Sequence, residues 1–204
     1  MLIRENIKKP GDPVLARAAN NLAAIYIGLG RYLEAEIATR RALSVFEKER
    51  GRRPRDLAFS LQNLVCLKVI QERYSEAEAL YRQALEILAR AVSPEHEVIA
   101  FVSNELGFLY CFQGRYQEAE ALLRRALEIR QRIYGPESLA VAQVLANEAV
   151  ALRHLKRKGE AKKLEARARA ILTAHSHENH EPYTVDISAL LKTRRGISPY
   201  GQAP

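Results

Sequence analysis

Tryptophan is absent from this 204-residue chain, methionine occurs once and cysteine twice. Cys66 and Cys111 sit inside apolar runs and form no spaced framework, so neither a disulfide scaffold nor a cysteine-based zinc site is available. The fold must hold by packing. No run approaches the ~20 apolar residues that a membrane helix needs. The opening, MLIRENIKKPGDP, has neither the apolar stretch nor the small-residue cleavage site of a secretory signal, so the expectation is a soluble, cytoplasmic protein with no membrane partner. Ten glycines and eight prolines leave few turns, and no segment alternates apolar and polar residues as a strand does. What is present is 48% hydrophobic residues, mainly alanine and leucine. That composition favours helices, in a chain long enough for one sizeable core.

The chain repeats itself. Gly30-Arg31-Tyr32-Leu33-Glu34-Ala35-Glu36 returns as Glu72-Arg73-Tyr74-Ser75-Glu76-Ala77-Glu78 and as Gly114-Arg115-Tyr116-Gln117-Glu118-Ala119-Glu120, each time after 42 residues. A weaker copy, Lys156-Arg157-Lys158-Gly159-Glu160-Ala161-Lys162, lies one further step along. Other columns keep this register: Leu22, Leu64 and Leu106; Ala42, Ala84, Ala126 and Ala168; Val45, Ile87, Ile129 and Ile171. A fixed period of this size decides the architecture, because one unit cannot bury its own apolar face and must stack on neighbours.

Each unit reads as two helices. The spacing predicts first helices near 13–29, 55–71, 96–113 and 138–155, and second helices near 32–49, 74–91, 116–133 and 158–173. Gly30 and Gly114 stand where a left-handed terminator is needed, and Ser93-Pro94-Glu95 and Pro136-Glu137-Ser138 mark starts. Ala35 and Ala42 are two turns apart, so both face one side and admit a neighbouring helix. Glu34, Glu36, Glu76, Glu78, Glu118 and Glu120 suit first turns, and Glu36–Arg40, Glu78–Arg82 and Glu120–Arg124 are four-residue pairs on a solvated face. None reads as a catalytic acid or base.

A helix pair with Leu22-Ala23, Tyr26, Gly30, Tyr32, Ala35 and Ala42 at these separations resembles a tetratricopeptide repeat, lengthened by about two helical turns. Armadillo and HEAT units share such periods but not the Gly-Arg-Tyr-x-Glu-Ala-Glu turn. The longer units, closed by Gly135-Pro136-Glu137, are similar to those of kinesin light chains and many bacterial scaffolds, over residues 1 to about 173. The resemblance implies an all-α, right-handed solenoid of stacked antiparallel helix pairs, with the first helices lining its concave side. It also implies a non-catalytic scaffold for a partner's peptide or helix.

Departures from the pattern are concentrated at the ends. The fourth unit has Glu148 in the leucine column, Lys156 in the glycine column and Lys158 in the tyrosine column, as expected of a polar cap. At the other end Ile3-Arg4, Ile7 and Pro10 match Ile129-Arg130, Ile133 and Pro136 three periods on. Residues 1–10 therefore read as a partial repeat, either a half-repeat cap or part of a longer array, and uncovered apolar surface there would give weak self-association through the N-terminal edge. Complete units are expected at about 11–52, 53–94, 95–136 and 137–174. Residues 175–204 leave the period, with a short capping helix expected at 186–194 after Asp186.

No catalytic, cofactor or metal motif emerges. Gly28-Leu29-Gly30 lacks a third glycine and follows a helix, so it is a helix end and not a dinucleotide loop. In the tail, His175-Ser176-His177-Glu178-Asn179-His180 is one residue short of zinc-protease spacing and reads as a solvated linker. Between 151 and 170 eight cations face two glutamates, +6 of the total +8. That excess is read first as a solubilising cap; the alternative is a nucleic-acid-associated regulator using Lys156, Arg157, Lys162 and Lys163, although the patch lacks aromatic residues for base stacking.

The candidate binding groove lies on the first helices. One column gives Asn20, Gln62 and Asn104; the next gives Asn21, Asn63 and Asn147. Amides both donate and accept, which suits an extended peptide backbone, and the resemblance implies that role for Asn20, Asn21, Asn63 and Asn104. Bonding between neighbouring helices is the equal alternative. Phe59, Phe101, Phe108 and Phe112 stand beside them, with Phe101, Phe108 and Phe112 in a single helical stripe. Because Leu106, Leu109 and Tyr110 already supply packing, the stripe is read as a pocket for a partner's anchor side chain.

Overall fold

The computed structural model describes residues 11–49 and 52–175. The partial repeat at 1–10, the capping helix at 186–194 and most of the histidine segment lie outside the described residues. Among the described residues there are eight helices and no strand: α1 (Pro13–Gly28), α2 (Tyr32–Lys48), α3 (Pro54–Ile70), α4 (Tyr74–Ala91), α5 (Glu97–Phe112), α6 (Tyr116–Tyr134), α7 (Leu139–His154) and α8 (Lys158–Ala174). Each bound falls within two residues of the position the repeat predicts, inside the usual uncertainty of helix ends.

Local chemistry explains the starts. Asp12 caps α1 by accepting from the Val14 amide at 2.8 Å, with Pro13 in the first turn where its missing N–H costs nothing. Pro54 opens α3 in the same way. Upstream of α5 the Ser93 stretch forms a turn, the His96 amide donating to the Ser93 carbonyl at 2.9 Å, and His96 Nδ1 then accepts from Val98 N.

The ends within each pair share one motif. The Arg31 amide donates back to Tyr26 O at 2.8 Å and that of Gly30 to Ile27 O at 3.1 Å, which closes a Schellman turn on α1. The same two bonds recur from Arg73 and Glu72 onto Lys68 and Val69, from Arg115 and Gly114 onto Tyr110 and Cys111, and from Arg157 and Lys156 onto Leu152 and Arg153. The geometry requires a positive φ, supplied by Gly30 at 73° and Gly114 at 81°, but Glu72 and Lys156 adopt it too, at 61° and 64°. Side-chain-bearing residues there cost roughly 1–2 kcal/mol. The turn is therefore imposed by the packed helices around it.

Two compact units result. In the first, up to Leu80, α1 packs on α2, α2 on α3, and α1 on α3. In the second, from Tyr81, α5 packs on α6, α6 on α7, α7 on α8, and α5 on α7. The repeated alanines of the second helices are the contact points: Ala35, Ala42, Ala77, Ala84, Ala119 and Ala126 are fully buried. Around them sit Phe46 and Leu57 in the first unit and Tyr81, Leu88, Leu109, Leu123 and Leu145 in the second. At Gly107 of α5 an added Cβ would stand 2.8 Å from Leu123 Cγ of α6. Only a glycine lets those two helices meet there.

Candidate functional site

The first helices carry the predicted groove residues, and their two faces are used differently. Asn20 in α1 and Asn63 in α3 are both buried, and Asn63 Nδ2 donates to the Asn20 carbonyl and to its Oδ1, each at 3.0 Å. One unit later the arrangement returns: Asn147 Nδ2 of α7 donates to Asn104 Oδ1 of α5 at 3.1 Å. Asn104 is completely buried and gives its own Nδ2 to Glu105 Oε1 at 2.9 Å. These amides, 43 residues apart in both pairs, fasten one first helix to the next. The alternative of bonding between helices is the one the geometry displays for Asn20, Asn63, Asn104 and Asn147. Gln62 is buried as well, whereas Asn21 is exposed.

The phenylalanines divide similarly. Phe108 is buried, while Phe59 on α3 and Phe101 and Phe112 on α5 are half-buried. Of the predicted groove residues, those that still meet solvent are therefore Asn21 and Phe59 in the first unit and Phe101 and Phe112 in the second.

A set of ion pairs at the turns was not anticipated from the sequence. The arginine of each repeated turn reaches the glutamate three residues on: Arg31 to Glu34 at 2.9 Å, Arg73 to Glu76, Arg115 to Glu118 at 2.7 Å and Arg157 to Glu160 at 2.7 Å. Those hydrogen bonds hold the carboxyls of Glu34, Glu118 and Glu160 below their ordinary value. Arg31 also lies 4.5 Å over the Tyr26 ring and Arg115 3.9 Å over that of Tyr110. The shared spacing of arginine and glutamate in all four turns was the available signal.

The expected Glu36–Arg40 and Glu120–Arg124 pairs form, but Glu120 does not lie on an open face. Its side chain is mostly buried and also accepts from Arg157 Nη1 at 2.6 Å, which ties α6 to the start of α8. The basic terminal repeat is likewise partly consumed. Arg153 pairs with Glu165, Arg157 with Glu120 and Glu160, and Arg167 Nη2 donates to the Pro136 carbonyl at 2.7 Å. Lys156, Lys158, Lys162, Lys163 and Arg169 are exposed.

Glu148 departs from the solvated cap that its polarity suggested. It is only 6% exposed, with no hydrogen-bond partner for Oε2. Burial pushes its carboxyl up, opposed by the charges of Arg124 and Arg157 and reinforced by those of Glu120 and Glu128. The leucine column is interior in this unit because α6 packs on α7. Among the described residues no group of three or more His, Cys, Asp or Glu side chains is placed to hold a metal ion, and no helix is long and apolar enough to cross a membrane.

Comparison with known proteins agrees with this architecture. No curated protein sequence gave a significant match. Among solved structures the chain is similar to BtubC (BKLC) from P. vanneervenii, with 25% identity, a TM-score of 0.69, and coverage of 91% of this chain and 76% of that one. It is also similar in fold to a Podosopora anserina protein described as a kinesin light chain with nearly identical tetratricopeptide-like repeats, at 22% identity and a TM-score of 0.60 over 87% of this chain and 83% of that one. A single-site variant of the latter gives 22% identity, a TM-score of 0.62, and coverage of 86% and 83%. The tetratricopeptide repeat family model matches residues 14–90 and 98–174, which is most of the chain. With helix pairs, turn motif and period all in agreement, the chain belongs to the tetratricopeptide repeat family.

Proposed function

We propose that this chain is a non-catalytic scaffold that binds a peptide or helix of a partner protein through its first helices. Tetratricopeptide repeats mediate protein–protein interaction, and their fold is typically non-catalytic. The observation that carries the finer reading is the partial exposure of Phe59, Phe101 and Phe112 on helices whose other aromatic and amide groups are buried. Aromatic side chains that keep one face in solvent are the usual anchors of a peptide interface.

In this reading Asn20, Asn63 and Asn104 shape the surface by fixing the helices, Gln62 is buried beneath it, and Asn21 is the amide left to meet a ligand's backbone. Phe108 lies beneath the surface and supports it. The test is selection of a displayed peptide library on the purified chain, followed by titration of enriched peptides. Phe101→Ala with Phe112→Ala should weaken binding at least about tenfold, the loss of one good anchor, with the helical circular dichroism unchanged. Undiminished binding by that folded variant would place the site elsewhere. Loss of binding only when Lys162 and Lys163 are made acidic would favour the basic repeat.

A further inference from the structure

α1 presents a face that its counterparts bury. Leu15, Ala18, Leu22, Ile25 and Leu29 are spaced three, four, three and four residues apart, so they form one stripe along the helix. All five are exposed: Leu15 at 41%, Leu22 at 42%, Ile25 at 46% and Leu29 at 66%, with Ala18 alongside. Displaced by one period, the same column contains Leu57, Leu64 and Leu67 of α3, and by two periods Ile99, Leu106 and Leu109 of α5; all six are buried. In the first unit α2 packs on α3, and in the second α6 packs on α7, so this is the face that takes a preceding helix. On α1 it holds no charged residue, and a monomer seldom leaves such a continuous apolar stripe in water.

We infer that this stripe is a self-association surface, on which the α1 helices of two copies of the chain pack antiparallel about a two-fold axis at Leu22. The alternative way to join copies, head to tail, would place the stripe against the outer side of α8. That side exposes Lys162 and Arg169 beside Leu172, and desolvating those two cations on leucine and isoleucine is unfavourable. An isologous contact avoids this because each copy offers the same uncharged surface. The antiparallel order also matches sizes. Leu22 meets Leu22, Leu15 meets Leu29, and the small Ala18 meets the large Ile25, whereas a parallel order sets Ala18 on Ala18 and leaves a gap. Five residues a side is less than a standard interface, so the dimer exchanges with monomer as concentration changes.

Sedimentation equilibrium of the full chain tests this directly. The expected result is a monomer–dimer equilibrium with no larger species, shifted at least about tenfold toward monomer by Leu22→Glu and unchanged by Leu172→Glu on α8, with equal helical signal in all three. Leu22→Cys alone should cross-link on oxidation, while Leu15→Cys should cross-link only when mixed with Leu29→Cys. A monomer at all concentrations would overturn the inference, as would open-ended assembly sensitive to Leu172→Glu. Association that appears only after residues 1–9 are deleted would make that segment the occupant of the stripe and overturn it equally.

Discussion

The first helix pair and the last occupy the same columns of one repeat, yet their polarity and their exposure run in opposite senses. Leu22 and Glu148 are three periods apart in a single column. Leucine stands 42% exposed on α1, and glutamate 6% exposed on α7. Repeat position determines which face a side chain occupies, and the neighbouring helix determines whether that face is dry. α7 has α6 against it, and so its one acidic substitution is taken inside. Its compensation is electrostatic, from Arg124 and Arg157 nearby.

Several substitutions would break or sharpen this contrast. The largest effect is expected where packing is tightest: Ala119→Trp, on the fully buried contact face of α6, should cost about 3 kcal/mol or more by overpacking. Gly107→Val should follow closely, because its first added carbon already meets Leu123. Denaturant unfolding measures both, and a wild-type midpoint for either would mean the helices do not meet in this register. Changes of similar size on the exposed face of α1, such as Ala18→Leu, should leave stability within about 0.5 kcal/mol.

Next come the buried amides. Asn104→Ala removes the acceptor of the buried Asn147 amide and its own hydrogen bond to Glu105, and is expected to cost about 1–3 kcal/mol. Asn21→Ala, one column away but exposed, should stay within about 0.5 kcal/mol. Equal effects at the two positions would mean that the amides do not fasten the first helices.

Glu148 gives an effect of opposite sign. Its folded-state pKa is raised, so the folded chain favours the protonated form. The destabilisation is absent below the unfolded value, develops as pH rises above it, and is complete once pH has passed the folded one. Glu148→Leu, which restores the column's leucine, should stabilise the chain at neutral pH by about 1–3 kcal/mol through removal of an unpaired buried acceptor. That gain should shrink below about pH 4. Thermal melts of both proteins across pH check it, and a gain independent of pH would show that folding does not raise the pKa of this carboxyl.

The smallest effect is conformational. Lys156→Gly and Glu72→Gly should each raise stability by about 1 kcal/mol, since both positions adopt the left-handed geometry that glycine occupies freely. Gly30→Ala, where the geometry is the same and the space around it is open, should lower it by about as much.

Much of the fold was legible because its period is exact in register. Helix bounds, the alanine contact faces and the left-handed turns all follow from columns that recur every 42 residues. What the columns do not encode is occupancy. The sequence cannot distinguish an amide offered to a ligand from one bonded to the next helix, since both roles ask for the same side chain at the same offset; Asn63 proved to be bonded to Asn20. Nor does it show that Glu120 is shared by arginines from two elements, because Arg157 lies 37 residues away. The half-exposure of Phe59, Phe101 and Phe112 was hidden for the same reason. A stripe of phenylalanines has one sequence signature whether it is core or surface.

Thiol accessibility compares the two ends most directly. The native cysteines provide a quiet background: Cys66 and Cys111 are buried, and burial pushes the Cys111 thiol up to about 12. With Leu22→Cys and Glu148→Cys prepared separately and labelled at a concentration low enough to keep the chain monomeric, the first should react at nearly the rate of a free peptide thiol. The second should react slowly, on the timescale of Cys111. Comparable rates at both positions would contradict the conclusion that neighbours, and not polarity, decide which copy of the column is buried.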